Sequence, residues 1–146
     1  MIREYKTGDE KFIAALETEC FSTPWSEQAI TDSAKNGTLF FVYENEGEII
    51  GYAGLDIVLD EGYVTNIAVC KKARRQGIGK ALTQKLCLEA QDKNLCFISL
   101  EVRSRNKVAI ALYEGEGFIA EGCRKNFYTN PTDDAIIMTK RFKEVK

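Results

Sequence analysis

Residues 73–82 read ARRQGIGKAL and lie between a strand-like segment and a helical one. Two glycines, Gly77 and Gly79, follow a pair of arginines. After them, apolar residues recur at every fourth position, which is the spacing of one helix face: Ile78, Leu82, Leu86 and Ala90. The preceding segment, residues 63–70, is apolar and strand-like. We therefore predict a tight turn that joins a strand to a helix.

A glycine-containing turn at the beginning of a helix is suited to binding an anion. The first N–H groups of a helix have no partner within it, and the helix dipole adds partial positive charge at that end. Glycine lets the backbone approach phosphate oxygens because it has no Cβ, and arginine or lysine adds charge-assisted hydrogen bonds. We expect this turn to hold a pyrophosphate. The alternative is a basic helix end that faces only solvent.

Two familiar phosphate-binding motifs do not match the turn. The Walker motif requires glycine where this chain has Arg74, and serine or threonine where it has Ala81. The dinucleotide-binding fingerprint requires glycine or alanine where this chain has Leu82. The pattern that does match is R-x-x-G-x-G over residues 74–79. Neither a Walker loop nor a dinucleotide-binding fold is therefore expected.

Periodicity and turn residues outline the other elements. A first helix is expected near the N-terminus, and a second is expected to begin at residues 23–24, with a threonine cap and a proline in its first turn. The residues expected on the buried faces of these two helices are Phe12, Ile13, Leu16, Trp25, Ala29 and Ile30. Strands are expected at 39–43, 49–59, 63–70, 96–103, 118–123 and 135–141, with further helices at 78–92 and 108–116. This order predicts a mixed α/β domain.

Composition excludes several classes of chemistry. The 146 residues include no histidine, so no Ser–His, Cys–His or His–metal site is possible. The five cysteines are odd in number and have no C-x-x-C spacing, so we expect small buried thiols in a reducing cytoplasm, without disulfides or a metal site. A net charge of −2 argues against a nucleic-acid partner. No apolar run approaches the ~20 residues of a membrane span, and the start does not resemble a signal peptide.

The R-x-x-G-x-G turn resembles the acetyl-CoA signature of the Gcn5-related N-acetyltransferases. Similar stretches extend along essentially the whole chain: FSTPWS (21–26), VTNIAV (64–69), LEVRSRNKVAIALYEGEGF (100–118) and NFYTNPTDDAIIM (126–138). Within that family the chain is most similar to the bacterial ribosomal-protein-alanine N-acetyltransferases. The resemblance implies one domain over residues 1–146, with flanking helices around a mostly antiparallel central sheet that contains one splayed parallel pair of strands.

The resemblance also implies which residues bind acetyl-CoA. The backbone of Ile67, Ala68 and Val69 is expected to pair with the pantetheine arm. In the family, this strand splays from its parallel neighbour at a bulge, which opens a V-shaped gap for the thioester. The pyrophosphate turn is expected to comprise six consecutive residues: Arg75, Gln76, Gly77, Ile78, Gly79 and Lys80. Asn106 is expected to contact the cofactor's arm.

Acetyl transfer to an amine requires a proton acceptor and a proton donor. An α-amino group has a pKa of about 8, so most of it is protonated at neutral pH, and the departing thiolate needs a proton. Glu101 interrupts an apolar strand on the face opposite Ile98 and Leu100. The resemblance implies that it is the base, because LEVR (100–103) matches the family's catalytic segment. Tyr113 matches the family's tyrosine that protonates the sulfur. The alternatives are a solvent-facing or arginine-paired Glu101 and a core-packed Tyr113.

The acceptor is expected to be a protein N-terminus, the N-terminal alanine of a small-subunit ribosomal protein, acetylated by a monomeric enzyme in a ternary complex. Trp25, Phe127 and Tyr128 lie where the family builds its peptide groove, although Trp25 could instead anchor the second helix. Asp133 and Asp134 could attract a cationic amine, with a solvated turn as the alternative. A small-molecule amine, a lysine side chain or a non-catalytic acyl-CoA-binding module remain alternative functions.

Overall fold

The computed structural model describes residues 1–143, which form seven strands, four α-helices and one short 3-10 helix. The elements follow the chain in an order that begins and ends with strands: β1 Ile2–Glu4, α1 Glu10–Cys20, α2 Glu27–Lys35, β2 Leu39–Asn45, β3 Glu48–Val58, β4 Glu61–Val69, the 3-10 helix Lys71–Ala73, α3 Ile78–Asp92, β5 Phe97–Arg103, α4 Lys107–Gly115, β6 Ile119–Tyr128 and β7 Asp133–Arg141. The predicted elements are confirmed within a few residues, except for the beginning of α2 and the longer β6.

The strands form one mixed sheet in the order β1-β2-β3-β4-β5-β7-β6. Every neighbouring pair is antiparallel except β4 and β5, which are parallel. This arrangement confirms the predicted fold class. β1 was not predicted from the sequence, because three residues are too few to show an alternation and the strand is defined by its pairing with distant β2.

Helices cover both faces of the sheet. The apolar face of α3 packs on one face, against Phe41, Leu55 and Ile98 among others. The helices α1 and α2 pack on the other face, through a second buried cluster: Ile13, Leu16, Ile30, Phe40, Val42, Tyr52 and Ala68. Adjacent Phe40 and Phe41 lie in different clusters, as the alternation of a strand requires. Within residues 1–143 no helix has the length and apolar character needed to cross a membrane.

The parallel strands β4 and β5 remain paired over only three residues. Their register joins Glu61 to Phe97, Gly62 to Ile98 and Tyr63 to Ser99, and it ends there. Beyond that point β5 stays paired with β7 as far as Arg103, while the β3–β4 register shifts between Ala53 and Leu55. The irregularity is a bulge that bends β4 away from β5. The splayed pair is thus confirmed.

The predicted beginning of α2 is wrong. The helix begins at Glu27 rather than at residues 23–24, and the side chain of Ser26 caps it by accepting a hydrogen bond from the N–H of Ala29 at 3.1 Å. Ser26 satisfies a backbone donor that the predicted threonine cap would leave unpaired. Trp25 therefore precedes the helix and is only partly buried, and Ala29 is exposed.

Two predictions of burial are also wrong. Phe12 is 48% exposed on α1, with the ammonium group of Lys11 at 5.0 Å from its ring centroid. All five cysteines are free, but only Cys87 is buried, and Cys123 is exposed on β6. Since β6 is the edge strand and both of its faces are largely exposed, alternation along it carries no information about burial.

Candidate active site

A cavity of about 730 Å³ opens where β4 and β5 separate. Its walls come from these two strands, from α4, and from the loops between α1 and α2 and between β6 and β7. Of the residues predicted from the sequence, Ile67, Glu101, Asn106 and Tyr113 line it. The aromatic residues predicted for the acceptor groove line it as well: Trp25, Phe127 and Tyr128. Residues far apart in the chain therefore meet around one space.

Glu101 lies on β5 with its side chain 33% exposed. Its neighbours Leu100 and Val102 are buried in the cluster beneath α3, so alternation places Glu101 on the opposite face of the sheet. Oε2 of Glu101 lies 3.6 Å from Nε of Arg124. Glu101 is therefore paired with an arginine, which was the alternative to its role as the base. An ion pair with this exposure contributes on the order of 0–1 kcal/mol and leaves the carboxylate free to act in the cavity.

Tyr113 lies on α4 and is partly buried. Its ring packs against Phe118, with 5.9 Å between the ring centroids. Burial raises the pKa of the Tyr113 phenol to about 12, with the neighbouring Tyr128 adding to the rise. Within residues 1–143 no group hydrogen-bonds to its hydroxyl. Tyr113 is therefore core-packed through its ring, while its hydroxyl stays protonated and available.

The glycine turn is open to solvent. Gly77 is the residue before α3 and has a φ of 79°, in the left-handed region that glycine adopts at little cost. A Cβ added at Gly77 would meet nothing within 4 Å, so the backbone conformation, rather than crowding, favours glycine there. The side chains of Arg75, Gln76 and Lys80 are exposed around the turn. The first N–H groups of α3 are thus accessible to an anion.

The residues of the turn differ in what they can offer a ligand. Ile78 is the first residue of α3 and its side chain is buried between the helix and the sheet, so only its backbone can reach a ligand. A Cβ at Gly79 would lie 3.5 Å from Cδ1 of Leu112, an ordinary contact. The guanidinium of Arg74 donates to the carbonyl of Val69 at 3.2 Å, which fastens the turn to the end of β4. Arg74 therefore stabilises the conformation of the turn by this hydrogen bond to the backbone.

The predicted pantetheine-binding strand has a free edge. Ile67, Ala68 and Val69 pair with β3 on one side, and their other side faces the gap left by β5. Ala68 is buried, and the carbonyl of Val69 already accepts from Arg74. Asn106 caps α4, since its Oδ1 accepts from the N–H of Ala109 at 3.1 Å. The NH₂ group of Asn106 remains available to a ligand.

Arg103 was not predicted from the sequence, although it lies two residues after Glu101 on the same face of β5. Its guanidinium donates to the carbonyls of Pro131 at 2.7 Å and Thr129 at 2.9 Å, and to the hydroxyl of Ser22 at 3.2 Å. It also lies 4.5 Å from the ring centroid of Tyr128. Arg103 thereby joins the two loops that form one wall of the cavity.

Asp133 and Asp134 do not line the cavity. Asp133 is buried and accepts from the hydroxyl of Ser104 and from the N–H of Arg105; the first of these bonds is the main reason that its pKa is lowered. Asp134 accepts from the N–H of Asn126 at 2.9 Å. Both carboxylates hold the surrounding loops, so the prediction that they attract the amine is not supported. Across residues 1–143 no three metal-ligating side chains come together.

Comparison with known proteins agrees with this geometry. The family model described as "Acetyltransferase (GNAT) family" matches residues 10–118. The chain is 36% identical over 139 residues to the ribosomal protein bS18-alanine N-acetyltransferase of Escherichia coli K12, covering 94% of each protein. It is 30% identical over 141 residues to the enzyme of that name from Haemophilus influenzae, covering 94% of this chain and 96% of the relative.

A solved structure gives the same result. The crystal structure of the ribosomal-protein-S18-alanine N-acetyltransferase from Escherichia coli superimposes with a TM-score of 0.91 at 34% identity. The match covers 100% of this chain and 96% of that one. The match by sequence and the match by structure therefore agree. The chain belongs to the acetyltransferase (GNAT) family and is an N-acetyltransferase that uses acetyl-CoA as its acetyl donor.

Proposed function

We propose that the chain transfers the acetyl group of acetyl-CoA to a protein N-terminus, the N-terminal alanine of a small-subunit ribosomal protein. The relatives from Escherichia coli and Haemophilus influenzae are named for acetylating alanine of ribosomal protein bS18. Both alignments span nearly the full length of each protein, so the acceptor side of the site is included. The proposal implies a cytoplasmic enzyme whose partner is a protein, and a monomer is sufficient for it.

One observation carries the proposal: Glu101, Asn106 and Tyr113 line a single cavity at the gap between β4 and β5. The free edge of β4 can hold an extended arm by backbone hydrogen bonds, and the open turn at Gly77 can hold the pyrophosphate. The thioester would then lie between the strands, and the loops joined by Arg103 would border the acceptor.

The proton transfers are divided between two residues. Acetyl-CoA supplies an acetyl group already activated as a thioester. Glu101 removes a proton from the amine so that its nitrogen lone pair can form the new C–N bond. Tyr113 donates its phenolic proton to the sulfur as the C–S bond breaks. The protonated amine gives one proton to Glu101 before the attack and loses a second as the amide forms. The second proton, passed through solvent, replaces the one that Tyr113 gave to the sulfur, and Glu101 releases the first to solvent.

A covalent cysteine intermediate is not part of the proposal, although Cys20 also lines the cavity. Burial raises the pKa of the Cys20 thiol, outweighing the opposite effect of Arg74. Because the thiolate is the nucleophilic form, a raised pKa argues against acyl transfer through this residue. Direct transfer between two bound substrates is therefore favoured.

The proposal is tested by mapping the acetyl group. The protein is incubated with acetyl-CoA and candidate ribosomal proteins that carry a free N-terminal alanine, and the products are mapped by peptide mass spectrometry. One acetyl group is expected, on the first residue of one small-subunit protein. The same proteins with a chemically blocked N-terminus are the control. Acetylation of lysine side chains in both samples, or of a polyamine in preference to either, would contradict the proposal.

A further inference from the structure

A buried carboxylate lies behind the cavity wall. Glu17 of α1 has an exposure of 0%, and within residues 1–143 no lysine or arginine forms an ion pair with it. Three donors satisfy it instead. The Tyr52 hydroxyl at 2.5 Å and Nδ2 of Asn66 at 3.0 Å donate to Oε2, and the N–H of Trp25 at 3.0 Å donates to Oε1. A buried carboxylate requires such partners, so these contacts are fixed.

Two of these donors belong to residues that line the cavity, Trp25 and Asn66. Glu17 therefore connects Trp25, which precedes α2, with Asn66 on the splayed strand β4. The third donor, Tyr52, lies in the core beneath α1. Of the three residues that donate to Glu17, Tyr52 lies in the core, and Trp25 and Asn66 line the cavity.

The bulge in β4 determines where Asn66 lies. Ala53 pairs with Ile67 and Leu55 with Val64, so Gly54 alone lies opposite residues 65 and 66. Regular alternation would place Asn66 on the same side as Val64, beneath α3. The extra residue instead brings Asn66 to the side of α1, where its NH₂ group reaches Glu17.

Leu100 is buried on the α3 side of the sheet, so the side chain of the next residue, Glu101, points to the α1 side. Asn66 and Glu101 therefore lie on the same face of the sheet. The two strands that carry them are the strands that separate to form the cavity. Both side chains line that cavity. The side chain on β4 and the expected base on β5 thus border the same space.

Glu17 also determines which atom of the Asn66 amide remains available. The NH₂ group of Asn66 donates to Oε2 of Glu17, so the carbonyl oxygen Oδ1 is the part of the amide that this contact leaves over. Within residues 1–143 no group donates to Oδ1, and this oxygen is not sealed in the interior. Since Asn66 lines the cavity, this unused acceptor can serve a ligand bound there.

We propose that Asn66 binds the acceptor amine through Oδ1 and that Glu17 is the positioning residue that orients this amide. The inference rests on the proposed function in one respect only, that the acceptor is an amine. A hydrogen bond from one N–H of the amine to Asn66 holds the nitrogen between β4 and β5. A second N–H can then face Glu101, and the lone pair is left for the thioester carbon.

The test compares Asn66→Ala with Tyr52→Phe. Both variants remove a hydrogen bond to the same Glu17 oxygen, but only Asn66→Ala removes the amine acceptor. Asn66→Ala should raise the acceptor KM about tenfold, the loss of one hydrogen bond, and leave the KM for acetyl-CoA unchanged. Tyr52→Phe should lower the melting temperature and leave both KM values near those of the wild type. Glu17→Gln, which keeps one accepting oxygen, should raise the acceptor KM by a smaller factor.

Each assay is run with an alanine-first peptide and, in parallel, with a polyamine, because Asn66 would bind either amine. Wild-type acetylation of the polyamine alone contradicts the proposed function and leaves the Asn66 comparison measurable. An unchanged acceptor KM in Asn66→Ala, or an equal rise of both KM values, contradicts the role of Asn66 itself. If Asn66→Ala does not fold, Asn66→Ser repeats the comparison with a small polar side chain, and the same two outcomes decide it.

Discussion

Nε of Arg124 on β6 lies 3.6 Å from Oε2 of Glu101 on β5, across the intervening strand β7. Both side chains are partly exposed, so the pair is screened by solvent. Arg124 also lies 5.4 Å from the ring centroid of Phe127, another residue of the cavity. Arg124 therefore lies beside the proposed base, Glu101, and leaves its carboxylate accessible.

Replacing Arg124 should accordingly have a small effect. Arg124→Ala is expected to lower the melting temperature only slightly, because an exposed pair contributes at most about 1 kcal/mol. It should retain kcat, because Glu101 stays in the cavity. Steady-state kinetics of the variant beside the wild type check this. A loss of turnover as large as that of a Glu101 variant would show that Arg124 takes part in the reaction.

Tyr113→Phe should lose most turnover and keep cofactor binding. Removal of a general acid lowers the rate by about 10²–10⁴-fold, while the ring still packs against Phe118. Single-turnover kinetics together with calorimetric binding of acetyl-CoA measure the two effects separately. Turnover near that of the wild type would remove Tyr113 from the mechanism.

The pH dependence of the wild type gives an independent test of Tyr113. A general acid must be protonated, and burial raises the pKa of Tyr113 to about 12. Because of the raised pKa, Tyr113 loses its proton only at a higher pH than an ordinary tyrosine. It should therefore cause no decline of kcat between pH 7 and about pH 10, which is more than one unit below that pKa. A kcat profile over this range, measured with a saturating acceptor, checks the prediction. An alkaline decline that disappears in Tyr113→Phe would contradict it.

Much of the fold could be predicted because its signals are local. The strand, turn and helix around Gly77 show in a short window, through apolar spacing and the position of the glycines. The alternation of buried and exposed residues in β5 likewise placed Glu101 on its face. For the same reason, local patterns gave no warning of the bulge at Asn66, which depends on the register with β3.

Contacts between distant segments account for the remaining differences. The burial of Asp133 depends on Ser104 and Arg105, and the position of Arg124 depends on the order of β5, β7 and β6. None of these relationships leaves a periodic trace in the sequence. The roles of Glu101 and Tyr113 were expected from family resemblance, and they remain predictions until variants are measured.

Gly77→Ala should weaken cofactor binding. A Cβ in the left-handed conformation costs roughly 1–2 kcal/mol, so the turn that begins α3 should shift. The expected result is a higher KM for acetyl-CoA with an unchanged kcat. Gly115→Ala is the matched control, because Gly115 ends α4 without a positive φ and has open space around it. Equal KM values for the two variants would contradict the role of the turn.

The corrected beginning of α2 can be tested by stability alone. Ser26→Ala removes the side chain that caps the helix and should lower the free energy of unfolding by about 1 kcal/mol. Thr23→Ala removes the hydroxyl that the pattern had suggested as the cap and should change this free energy little. Urea denaturation of both variants measures the difference, and a larger effect of Thr23→Ala would contradict the assignment.

The most direct test of the central claim is the kcat of Glu101→Gln with an alanine-first peptide. Glutamine keeps the size of the side chain and removes the proton acceptor. We predict a loss of about 10²–10⁴-fold in kcat at neutral pH, with an unchanged KM for acetyl-CoA and with part of the activity restored at high pH, where the amine is already neutral. Wild-type turnover in Glu101→Gln at neutral pH would contradict the claim that this carboxylate, placed at the gap between β4 and β5, removes the proton of the amine.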